Sequence, residues 1–156
     1  MASFTHYWEG NTCDAMFADE LDGEMLNHTA GKLFTQRGVG PGDKVYVVNN
    51  LRGSLVLIGR LEVDKIVSQA EAERLLGDNN LWDAPEHVIA KPDTATPMRF
   101  ERVVPMELTK QLMFQGAKGF EPPKFESEDK LDRQTLRGVR RLSDGSARLL
   151  ENLLAE

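Results

Sequence analysis

The stretch Lys44-Val45-Tyr46-Val47-Val48-Asn49-Asn50-Leu51-Arg52-Gly53-Ser54-Leu55-Val56-Leu57-Ile58-Gly59-Arg60-Leu61-Glu62-Val63-Asp64-Lys65-Ile66 decides the fold class. Residues 44–49 are rich in β-branched side chains and read as a strand. Residues 50–53 carry hairpin-turn chemistry, and 54–66 read as a long returning strand. Gly59 interrupts that second strand and predicts a bulge or sharp bend, the device by which small barrels turn corners. The expectation is an antiparallel hairpin inside a closed or nearly closed barrel.

Upstream, Val39-Gly40-Pro41-Gly42-Asp43 is a tight turn into the hairpin. Ala30, Leu33 and Phe34 fall at helical spacing and predict a helix over 27–37, capped by Asn27 or Thr29 and stopped by Gly38. Residues 12–24 read as an acidic loop, and Thr5-His6-Tyr7-Trp8 as a first strand. Downstream, Ser68 and Glu71 form a capping box for a helix over 68–76 ended by Gly77. Strands are predicted at 86–90 and 98–104, helical turns at 107–114, and a loop at 116–124. A short amphipathic helix is predicted over 146–154. Five or six strands and three or so short helices in mixed order make an α+β domain on a curled, mixed or antiparallel sheet.

The 156 residues predict one domain spanning 1–156, with 40% hydrophobic and 28% charged residues, a globular composition. No apolar run approaches the roughly 20 residues of a membrane span. Met1-Ala2-Ser3-Phe4-Thr5-His6 has neither a basic flank nor an apolar core, so no secretory signal is expected. The single cysteine, Cys13, has no internal disulfide partner, which fits a reducing cytoplasm.

The net charge of −6 is unevenly spread. Glu9, Asp14, Asp19, Glu20, Asp22 and Glu24 place six acids in the first 24 residues without a Lys or Arg. Lys130, Arg133, Arg137, Arg140, Arg141 and Arg148 face only Asp132 and Asp144 in 130–148. An acidic protein with one basic face does not bind phosphate indiscriminately but can hold one partner there.

Signatures of common catalysts are missing from the sequence. There is no phosphate-binding P-loop, no dinucleotide fingerprint and no nucleophile elbow. His6, His28, His87 and Cys13 lack metal-ligand spacing, so neither a metal nor a cofactor is expected. Aromatic residues make up only 7%, which draws attention to Trp8, at the end of the first strand, and Trp82, in a polar loop. With Asn27 and His28 they suit a pocket for a nucleobase: stacking holds the face while amide and imidazole read the edge.

In this order the motifs resemble the EVE domain, a member of the PUA-like superfamily that also includes YTH and ASCH domains. Tyr7-Trp8 is similar to the family's opening strand. Asn27-His28-Thr29-Ala30-Gly31-Lys32-Leu33-Phe34 is similar to its Arg-Asn-x-x-Ala-x-x-Phe-Leu helix, with Leu26 where the family has arginine. Val39 to Val48 matches a Val-Gly-Asp turn and apolar strand, and Ser54 to Val63 a strand reading Ile-Val-Gly-x-Ala-x-Val. Val104-Pro105-Met106-Glu107-Leu108 and Arg141-Leu142-Ser143 complete the series.

The resemblance implies a small PUA-like barrel with a pocket for a base, often a modified one, in DNA or RNA. Tyr7, Trp8, Asn27, His28, Thr29, Asn49 and Trp82 are the expected ligand-binding residues. Arg133, Arg137, Arg140 and Arg141, placed on related faces if that stretch is helical, are the expected contacts to the nucleic-acid backbone. Two other readings belong to different classes. An ASCH-like amide hydrolase would use Lys44, Tyr46 and Glu62, and a protein-interaction domain would dock its acidic 9–24 segment on a basic partner.

Overall fold

The computed structural model describes residues 1–155. Along the chain run β1 (Ser3–Tyr7), α1 (Gly10–Ala18), β2 (His28–Gly31), β3 (Lys44–Leu51), β4 (Ser54–Val67), α2 (Gln69–Leu76) and β5 (Glu86–Ala90). Then follow α3 (Met106–Thr109), β6 (Phe114–Gly116), β7 (Gly119–Glu121), β8 (Phe125–Ser127), β9 (Lys130–Leu131), β10 (Val139–Leu142) and α4 (Asp144–Leu154). Eight strands form one sheet in the order β2-β5-β4-β3-β1-β10-β6-β7, and β8 pairs with β9 separately. Every neighbour is antiparallel except β1 and β3, which run parallel. The architecture is mixed α+β. Among the described residues the ladder ends at β2 and β7, so the expected barrel closure is absent from the hydrogen-bonded sheet. Among the described residues no helix is long and apolar enough to cross a membrane.

The β3–β4 hairpin forms in the predicted antiparallel register, and Gly59 is where its pattern changes. Val47 pairs with Gly59 but Val48 pairs with Leu57, which leaves Ile58 as the extra residue of a bulge. Before the bulge, Val56 and Ile58 enter one core; after it, Leu61 and Val63 do. A one-residue slip would otherwise send every later side chain to the opposite face. The bulge absorbs that slip and lets one long strand feed the same core along its length.

Both faces of the sheet are covered. Phe4, Trp8, Leu26, Phe34, Val45, Val47, Val56, Ile58, Leu61, Val63 and Val88 build one core. Tyr46, Val48, Leu55, Leu57, Leu112, Phe114, Leu131, Leu142 and Leu150 build the other, beneath α4. Each such side chain stabilises the fold by about 1.5–3 kcal/mol relative to exposure. α2 begins as expected: Ser68 Oγ accepts from the Glu71 amide at 3.3 Å, and Gly77 closes the helix at φ 64°. The capping box is half-formed, because the Glu71 carboxylate instead pairs with Arg74.

Several expectations need correction. Residues 27–37 are not a helix; His28–Gly31 form β2, paired residue by residue with β5. Ladder hydrogen bonds and burial of Thr29 and Phe34 outweigh a weak 3.6 periodicity. The 12–24 loop contains most of α1, a helix that buries only Cys13 and so leaves almost no sequence signal. Residues 98–104 run beside β4 through isolated bonds, such as Leu57 N to Arg102 O at 2.9 Å, without becoming a strand. Residues 116–124 contain β7, joined to β6 in a small hairpin with Gly119 at φ 121°. Residues 130–141 are two strands and a turn, so the arginines do not share a helical face.

Candidate functional site

Trp8 leaves the end of β1 with its amide bonded to Val48 O at 2.8 Å. Its indole Nε1–H donates to Thr29 Oγ1 at 2.9 Å, which ties β1 to β2. The same Thr29 hydroxyl meets His6 Nδ1 at 2.8 Å. Asn49, buried at the end of β3, donates from Nδ2 to Trp8 O at 2.8 Å. Thr29 and Asn49 therefore hold the tryptophan and do not line the space beside it.

Trp82 is brought to Trp8 by the segment after α2. Their rings meet edge to face at 5.1 Å and 74°. Trp82 also lies 6.0 Å from the His28 ring at an interplanar angle of 26°. Trp8, Asn27, His28 and Trp82 thus line one cavity of about 380 Å³, within the roughly 300–1,000 Å³ of small-molecule sites. Met16, Leu21, Leu26 and Met98 give it an apolar floor, while Asp78 and Asn80 stand at its polar side. The side-chain amide of Asn27, on an exposed residue, has no hydrogen-bond partner among the described residues.

Burial disfavours the charged forms of His6 and His28. Burial pulls His6 down to about 4. Burial, aided by His87, pulls His28 to about 4, against the opposing pull of Asp78. The Cys13 thiol is pushed up to about 12 by burial and by Asp14, which disfavours the thiolate. Tyr7 does not join the pocket. Strand alternation turns it to the other face, against the core beneath α4.

A second, larger cavity of about 830 Å³ opens between β10, the β6–β7 hairpin and the turn before β10. The reason is in the pairing: β10 bonds β1 along its length but meets β6 only at Leu142 and Phe114, so the sheet splits there. Arg137, Arg140 and Arg141 line this cavity with Arg37 and Lys124, against Glu121 and Asp132. Arg133 lies outside it and sits 3.7 Å from Glu126. Arg140 is already engaged. Its guanidinium bonds Thr135 O at 2.8 Å and lies 4.8 Å from the Phe114 ring centroid. Arg37, Lys124, Arg137 and Arg141 are exposed. Tyr7 N bonds Gly138 O at 3.1 Å, so the basic cavity and the tryptophan cavity both abut the end of β1.

The residues of the hydrolase reading do not converge on either cavity. Tyr46 is buried with its hydroxyl donating to Glu151 at 2.8 Å, and Lys44 lies 3.9 Å from the same carboxylate. Glu62 pairs with Lys91 at 3.3 Å. In the acidic segment Asp22 is partly structural, accepting from Phe100 N at 3.0 Å.

Sequence reasoning missed the methionine floor, because scattered methionines look like core filler. It missed Arg37 and Lys124 because they are distant in sequence from the 130–148 cluster. It also missed Gln69 and His87 behind His28, for which no local signal exists.

No protein-family model matches the chain, and no curated protein sequence does. Among solved structures it is similar to an ASCH protein from Zymomonas mobilis, at 9% identity and a TM-score of 0.43, covering 97% of this chain and 95% of that one. At that identity and TM-score the likeness carries no argument about activity.

Proposed function

We propose that this chain is a nucleic-acid-binding module that takes one extruded base, in its preferred ligands a modified one, into the cavity between Trp8, His28 and Trp82. The observation that carries the reading is the convergence of those rings and Asn27 from β1, β2 and the loop after α2 on one cavity. Aromatic walls supply stacking to any base, and that stacking offsets the few kcal/mol of unstacking. An apolar floor of methionine and leucine suits an added methyl-type group, since these side chains adapt their shape. The order of sequence motifs similar to the EVE domain supports the same reading.

In this proposal Arg37, Lys124, Arg137 and Arg141 line the path of the phosphates. Arg140 organises that wall and Arg133 lies away from it. Salt-dependent affinity would come from these cations, and base choice from the pocket.

The test is a binding panel of modified and unmodified oligonucleotides and free nucleosides against wild type, Trp82→Ala and Asn27→Ala. Trp82→Ala should weaken binding of every base by about 1–3 kcal/mol. Asn27→Ala should mainly erode discrimination between bases, because it removes an edge contact. If wild type binds no member of the panel above background, the reading fails.

A further inference from the structure

Behind the pocket wall runs a chain of hydrogen bonds whose direction can be read atom by atom. It starts at the Ala84 amide, a group that can only donate. That amide donates to Gln69 Oε1 at 3.0 Å, while Gln69 Nε2 donates to Glu73 Oε1 at 3.3 Å. The orientation of the Gln69 side chain is thereby assigned, with oxygen on the side of Ala84. His87 Nε2 lies 2.5 Å from that same oxygen, so it must carry a proton.

His87 is fully buried. Its ring nitrogens meet only an amide oxygen and another imidazole, with no carboxylate bonded to either, so burial favours the uncharged ring and, with the proton on Nε2, leaves Nδ1 bare. His28 Nε2 lies 2.8 Å from it, in nearly parallel rings (9°). Only one nitrogen of that pair can hold the shared proton, and it belongs to His28 Nε2. Neutral His28 then has a lone pair on Nδ1, which bonds no protein group among the described residues; no buried side-chain nitrogen or oxygen there is left without a partner, so Nδ1 is accessible, on a residue that lines the cavity. Burial, which disfavours the imidazolium of His28, agrees with this assignment.

We infer that the relay Ala84–Gln69–His87–His28 sets His28 Nδ1 as an obligate hydrogen-bond acceptor in the pocket, so that the ligand must present an N–H donor there, as the exocyclic amine of a cytosine- or adenine-type base does. The inference rests on the base-binding reading and adds the polarity of the edge that is read. A base with a carbonyl at that position would set two lone pairs against each other and be rejected. Gln69 touches no part of the cavity; it is a positioning residue that acts through His87.

Two measurements on the full chain test this. Long-range ¹H–¹⁵N spectra of ¹⁵N-histidine-labelled protein at pH 7 should show both His28 and His87 as the Nε2–H tautomer. A His28 ring protonated on Nδ1, or charged, overturns the inference whatever the protein binds. Binding of cytidine against uridine and of adenosine against inosine, pairs that exchange an amine for a carbonyl, should favour the amine by tenfold or more. Gln69→Leu, which frees His87 to take either tautomer, should bring that ratio toward one and mix the His28 tautomers. Equal affinity of wild type for both members of each pair overturns the inference while leaving base binding intact. If the tautomers are as expected but no nucleoside or oligonucleotide binds, the base-binding reading fails and the ligand half of the inference falls with it.

Discussion

Thr29→Val tests how the tryptophan wall is held. The hydroxyl it removes is shared by two buried groups: it accepts from Trp8 Nε1–H at 2.9 Å and meets His6 Nδ1 at 2.8 Å. Trp8 is 4% exposed, His6 7% and Thr29 0%, so water cannot replace the lost partner without a rearrangement. Each orphaned buried group costs about 1–3 kcal/mol, which gives a loss of about 2–6 kcal/mol for the pair. For a domain of this length, 1 kcal/mol moves Tm by roughly 2–4 °C, so Thr29→Val should melt about 4–24 °C below wild type. Thr29→Ser is the control: it keeps the hydroxyl and deletes only a methyl, costing about 1 kcal/mol. Urea denaturation and calorimetry of the three proteins measure the difference. Thr29→Val equal to or more stable than Thr29→Ser would refute the argument, because packing and not the shared hydroxyl would then dominate.

Acid should destabilise the fold before the carboxylates titrate. An unfolded histidine binds its proton near pH 6.5 and His6 in the fold only near 4, so the unfolded state holds more protons in that window and stability falls as pH drops. His6 alone should cost about 2 kcal/mol between pH 7.5 and 5, with His28 acting in the same direction; a urea midpoint that is flat across this range refutes it. The Arg60 and Tyr46 hydrogen bonds hold the Glu151 carboxyl low despite its burial, so Tyr46→Phe should lose about 1.5–3 kcal/mol by equilibrium unfolding; a change below about 0.5 kcal/mol would deny the bond that role. Gly53 turns the β3–β4 hairpin at φ 91°, and a Cβ there would meet the Lys130 backbone at 3.1 Å. Gly53→Ala should therefore cost about 1–3 kcal/mol, and unaltered thermal stability would contradict that packing. Reversing Arg137 and Arg141 to Glu should weaken oligonucleotide binding and flatten its salt dependence, whereas an unchanged slope would assign both to solvated surface.

The sequence by itself determined the elements whose signals are local. The β3–β4 hairpin lies in 24 consecutive residues, with β-branched runs on either side of a turn and a glycine where the register shifts. α2 announces itself through Ser68 and Gly77, and α4 through leucines at helical spacing behind Ser143. Trp8, Asn27, His28 and Trp82 could be picked out as a set by residue type and by motif order. Their positions in space could not. β2 looked helical because nothing local reports that residues 28–31 will pair with 86–89, and a ladder formed across that separation outweighs a short stretch's own preference. The same long-range pairing sets His28 Nε2 against His87 Nδ1, 59 residues away. The spacing of Arg133, Arg137, Arg140 and Arg141 would put them on related faces only if that stretch were helical; pairing with β1 makes it a strand and a turn instead, and burial divides them into one structural residue and several exposed cations. Local chemistry chose the elements with strong intrinsic signals, and contacts between distant residues, which no short window contains, decided the weak ones and the whole of the site's geometry.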